Sequence, residues 1–139
     1  MNTEDAPDKD PNKDEDQFVP YKLTAEARPL LETAQTLRRV LSHYARAERD
    51  GVKILGPPKP GVAETVASMR AAGFDVALVD DLLDEFEEIS ERGCRVFELH
   101  FFAGVPVDKI AVLMQMPPRT ATRDWSVAKA WLYEHLKMK

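Results

Sequence analysis

The chain has 139 residues, 44% hydrophobic and 31% charged, the composition of one ordinary globular domain or two very small ones rather than a large multidomain enzyme. A single cysteine, Cys94, excludes an internal disulfide and a C-x-x-C zinc site and fits a reducing compartment. No apolar run reaches the roughly 18 residues that span a bilayer, and the acidic start MNTEDAPDKD is not a signal peptide, so a cytoplasmic location is expected.

Charge is unevenly placed. Residues 1–17 carry seven acids and two lysines, a net −5 that equals the charge of the whole chain. They are rich in Asp, Lys, Pro and Asn, and cannot bury enough apolar area to offset ordering, so a disordered acidic tail is predicted. Over 18–50 an N-terminal helix follows. Leu30, Ala34, Leu37, Leu41 and Tyr44 recur at steps of three and four, Pro29 suits the first turn, and Gly51 is a stop. Residues 51–75 read as a Pro/Gly linker (GVKILGPPKPG) and a short helix from Val62 to Ala72.

From 76 to 139 the spacing predicts a helical domain. Val76–Ser90 has Ala77, Leu78, Leu82, Leu83, Phe86 and Ile89 on one side, and from Asp80 to Glu91 seven acids with no base. That acidic run is expected to be a solvated face; the alternative is that it, or the tail, lies against a basic surface and competes with DNA. Glu91–Ala103, Val107–Met114 and Pro118–Lys137 complete an all-α chain, because no alternating strand pattern of useful length occurs.

The last two helices carry the functional signal. A short helix (VDKIAVLM), a break at Gln115-Met116-Pro117 and a long helix opening PRTATRDW are the parts of a helix-turn-helix. Ala111 allows close approach, with Ile110, Met114 and Met116 as the apolar contact. Ala121, Trp125, Ala128 and Leu132 form the inward stripe, which leaves Arg119, Thr122, Arg123, Ser126 and, near the edge, Lys129 outward. Arginine can reach guanine edges or phosphates, and Thr and Ser serve either role. From Arg92 to Lys139 the net charge is +4, which favours a phosphate-bearing partner. A plain surface helix with solvated charges is the alternative.

Glu91–Leu136 resembles region 4 of extracytoplasmic-function sigma factors of the sigma-70 family. The resemblance is carried by Arg92–Gly104, Lys109–Met114 and above all Pro118–Leu132 (PRTATRDWSVAKAWL). It implies −35 promoter recognition by the second helix, with Arg119, Thr120, Thr122, Arg123 and Ser126 at DNA-facing positions. It also implies docking on the β flap of RNA polymerase core and, in some settings, on an anti-sigma protein. Three positions depart from the pattern: Gln115 replaces the turn glycine, Pro117 the capping serine and Pro106 an earlier Ser or Thr. A left-handed Gln115 would cost roughly 1 kcal/mol, and the lost cap about as much.

TLRRVLSHYARAERD resembles the helix that ends region 2, which would make Arg38, Arg39, Arg46 and Arg49 a secondary DNA-binding set; a solvated amphipathic face is the other reading. The earlier helices of region 2 have no counterpart before it, so a truncated relative is expected. The expected function is transcription-related binding of double-stranded DNA, polymerase or both; the alternative is a protein-interaction module without DNA recognition. No catalytic set, cofactor site or metal site is predicted, since His43, His100 and His135 are widely separated. Cys94 is expected to be a buried structural thiol, although Arg92 and Arg95 nearby could activate it.

Overall fold

The computed structural model describes residues 19–51 and 61–137. The acidic segment 1–17 and most of the Pro/Gly linker lie outside the described residues. Among the described residues six α-helices follow one another: α1 (Ala27–Arg49), α2 (Val62–Ala71), α3 (Val76–Ile89), α4 (Glu91–Phe97), α5 (Val107–Leu113) and α6 (Pro118–Lys137). A π-helical turn, Glu98–Phe102, extends α4. Among the described residues there is no strand, so the expected all-α class holds.

Local chemistry sets most boundaries. Thr24 Oγ1 accepts the Ala27 amide at 3.1 Å where α1 starts, and Gly51 (φ 70°) follows its end. Asp75 caps α3 by accepting from Ala77 N, and Ser90 caps α4 by accepting from Gly93 N. Gly93 has a second reason to be glycine. A Cβ there would come within 3.0 Å of the Phe86 ring, so a larger residue would wedge α3 from α4.

Three apolar clusters join the helices. Ala27 and Leu31 of α1 pack with Val96, Leu99, Ile110, Leu113, Met114, Met116 and Ala121. Leu82, Leu83 and Phe86 of α3 meet Phe97, Ala128 and Leu132. Leu41 and Ala45 of α1 meet Val62, Val66, Val76 and Ala77. The buried face of α1 is rotated from the predicted one: Leu31, Ala45 and Ala47 are buried, while Leu37 is exposed. The cause is electrostatic, because α1 must turn Arg38 and Arg46 toward α3.

Arg38 gives Nε to Asp80 at 2.6 Å, Nη1 to Glu98 at 2.8 Å and Nη2 to Asp84 at 2.6 Å. Arg46 Nη2 reaches Asp80 at 2.6 Å and Asp81 at 2.8 Å. Arg95 pairs with Glu87 and donates to Glu98 at 2.8 Å. Burial works against the charge on Arg38, yet the bonds from Glu98 and Asp80 outweigh it and raise the guanidinium above its usual range. The acidic stretch is therefore only in part the expected solvated face: Asp81, Asp84, Glu85, Glu88 and Glu91 are exposed, but most of its acids are also tied to other parts of the chain. Five of its seven acids have intramolecular partners, Glu91 through the Tyr21 hydroxyl at 2.6 Å.

Cys94 is buried, and burial, reinforced by the Glu98 charge, pushes its thiol from 9.0 up to about 12 despite Arg95. Activation by the nearby arginines is thus overruled by desolvation. Unfolding returns the thiol to its ordinary value, so between these two pH values the folded state holds the extra proton and stability falls as pH rises. Tyr21, pushed up to about 12 by burial and its bond to Glu91, adds the same sign only above its usual 10.0. Urea titrations should show stability declining above pH 9, with a shallower decline in Cys94→Ala. An unchanged slope would remove the thiol from the account.

Candidate nucleic-acid interface

α5 and α6 form the predicted helix-turn-helix. Ile110, Ala111, Met114, Met116 and Ala121 are all buried in one cluster between them. The backbone closes the turn through Gln115 N to Val112 O at 3.2 Å and Met116 N to Ala111 O at 3.0 Å. Gln115 takes the left-handed conformation the turn demands, with φ 53°. Its side chain offsets part of the strain: Nε2 donates to Lys22 O at 2.9 Å.

That bond belongs to a strap the sequence reading missed. Residues 19–24 run along the motif, where Lys22 N donates to Met114 O at 3.1 Å and Thr24 N to Leu113 O at 3.0 Å. These are terminal carbonyls of α5 with no partner inside their own helix. Val19, Tyr21 and Leu23 pack onto the same core. Their alternation is a period-two signal, visible in the sequence and too short to stand out.

α6 is oriented by two anchors. Trp125 lies against Phe97 (centroids 5.3 Å) and edge-on to His100 (4.3 Å), whose Nδ1 donates to Val105 O at 2.8 Å. The other anchor is a buried pair: Arg92 donates Nε and Nη2 to Asp124 at 2.6 and 2.9 Å. Its Nη1 donates to Val19 O at 2.9 Å, so one guanidinium ties α4, α6 and the strap together.

The pair also corrects a predicted site residue. Thr120 lies one turn before Asp124 and is buried, 1% exposed, so it does not face outward. The spacing puts the inward stripe on Ala121, Trp125, Ala128 and Leu132 and does not reveal an ionic anchor on the Thr120–Asp124 flank. Arg119, Thr122, Ser126 and Lys129 are exposed, and Arg123 is half-buried. Lys129 Nζ sits 5.6 Å from the Trp125 ring centroid, at the edge of this surface.

The secondary set does not join it. Arg38 and Arg46 are bound to the acids of α3 and to Glu98. Arg49 lies beside Asp50 at 3.2 Å, and Arg39 is exposed on α1. Resemblance and amphipathic spacing placed these four together; the acids of α3, distant in sequence, claim two of them.

The family model described as ECF sigma factor matches residues 33–138. The chain belongs to the ECF sigma factor family. No curated protein and no solved structure matches it. As a sigma factor it is a transcription-related protein of a non-enzymatic family whose general partners are DNA and RNA polymerase. The match takes in most of α1, from residue 33 on, as well as the helix-turn-helix. Among the described residues no helix is long and apolar enough to cross a membrane, and no His, Cys, Asp and Glu side chains group as a metal would require.

The turn of this sigma factor gives a direct test. Gln115→Ala keeps the left-handed strain and loses the bond to Lys22, so it should cost about 1 kcal/mol. Gln115→Gly loses the same bond but relieves strain of roughly equal size, and should about break even. Denaturant midpoints of the two variants check the order; equal losses would show that Gln115 is not strained.

Proposed function

We propose that this sigma factor binds promoter duplex DNA of the −35 type through the outer face of α6, and does so as a partner of RNA polymerase. The observation that carries the reading is the exposure of Arg119, Thr122 and Ser126 on the leading half of the second helix of a helix-turn-helix. Arg123 borders the same surface and Lys129 stands one turn further along. A duplex in contact with this face would meet guanidinium groups suited to phosphate or to guanine edges, and hydroxyls that donate or accept.

Orientation comes from residues that need not touch DNA. Trp125 fixes the depth of α6, and the Arg92–Asp124 pair fixes its rotation. Pro118, at the first position of α6, removes an amide that has no intrahelical partner in any case. Contact with the β flap and capture by an anti-sigma protein are part of the proposal by family likeness. The arginines of α1 are left out of the primary interface, because Arg38 and Arg46 would have to leave their carboxylate partners to reach phosphate.

Double replacement of Arg119 and Arg123 by Ala is expected to weaken duplex binding and to make the log–log salt slope shallower by up to about two units. Fluorescence anisotropy with a labelled promoter duplex at several salt concentrations measures both. An unchanged slope would remove the two residues from the interface.

A further inference from the structure

The acidic face of α3 is only partly neutralised, and what remains is localised. Asp80, Asp81, Asp84, Glu87 and Glu91 have bonded partners, whereas among the described residues neither Glu85 nor Glu88 makes an ion pair or side-chain hydrogen bond. Both are exposed, and with Asp84 they rim a cleft whose floor is Ile89 and Trp131. Asp84 keeps 70% of its side chain exposed while it holds Arg38. Ile89 is 62% exposed although the helical pattern places it with the core residues of α3. Trp131 is held rigid by Phe86 at 5.2 Å and by the His135 ring at 3.8 Å. No lysine or arginine lines the cleft.

We propose that this cleft between α3 and the C-terminal half of α6 is a docking site for a basic amphipathic helix of a protein partner. One large apolar side chain of that helix would sit between Ile89 and the Trp131 indole. Lysine or arginine on the flanking turns would meet Glu85 and Glu88, which lie on one side of α3 at a three-residue step. Charge selects the class of partner, since nucleic acid and anionic lipid are repelled by the same carboxylates. A rigid aromatic anchor ringed by charge is a typical centre for helix-in-groove recognition. The site does not depend on the DNA-binding reading. Trp131 follows Ser126 by five residues and so points about 140° away from it around α6, which leaves the outer face open to a duplex while the cleft is filled.

The test is a display library of helical peptides of about 16 residues, roughly four turns, panned against the full chain. Recovered sequences should carry Lys or Arg around one large apolar residue. The best binder should lose about tenfold or more in affinity for Glu85→Lys with Glu88→Lys, and likewise for Ile89→Ser. Glu32→Lys with Glu64→Lys, an equal charge change at exposed positions of α1 and α2, should leave it unchanged. Thermal melts confirm that the variants fold. Recovery of no binders, of acidic or neutral binders, or of binders indifferent to the cleft substitutions overturns the proposal. So does an equal loss with the α1 and α2 control, which would mean attraction to net charge alone.

Discussion

The Glu98 carboxylate is the constraint around which this molecule is arranged. It is wholly buried and accepts from Arg38 at 2.8 Å, Arg95 at 2.8 Å and Gln35 at 3.2 Å. An ion taken out of water costs several kcal/mol unless its oxygens are well bonded, so Glu98 dictates that two guanidinium groups be delivered to it. Arg95 comes from the preceding turn, but Arg38 must come from α1, sixty residues away in the chain. Delivering Arg38 rotates α1, sets its crossing on α3 and draws Asp80 and Asp84 into the same network.

The consequence is a sorting of charge. The sequence alternates acidic and basic blocks whose sum says little. In the folded chain the acids of α3 take up basic groups of α1 and Arg95, while Arg119 and Lys129 of α6 are exposed. Arg92 belongs to the core and not to that surface, because Asp124 binds it bidentately. The same pair explains why an Asp stands within the arginine-rich opening of a helix read as facing DNA: its carboxylate serves the scaffold.

Short-range features were legible in the sequence. The helix-turn-helix, the inward stripe of α6, the close approach at Ala111 and the left-handed need at Gln115 each follow from spacing within a few residues. What spacing could not supply was partnership across the chain. The rotation of α1 goes with the bond from Arg38 to Glu98, the burial of Asp124 goes with its bidentate bond from Arg92, and the strap depends on terminal carbonyls of α5. The acidic stretch reads as a wholly solvated face because two of the guanidinium groups that meet it, Arg38 and Arg46, lie more than thirty positions earlier. The Glu85–Ile89–Trp131 cleft was hidden for a related reason, since Ile89 fits the core period and only the packing shows it left out.

The central claim is that guanidinium groups of α1 and α6 have different duties, the former holding the scaffold and the latter meeting DNA. Arginine Nε–Hε resonances of the labelled chain, followed by NMR during titration with a promoter duplex, report on both at once. The account predicts that Arg119 and Arg123 signals shift with the duplex while Arg38, Arg46 and Arg92 signals stay in place. Movement of Arg38 and Arg46 with Arg119 and Arg123 still would contradict it.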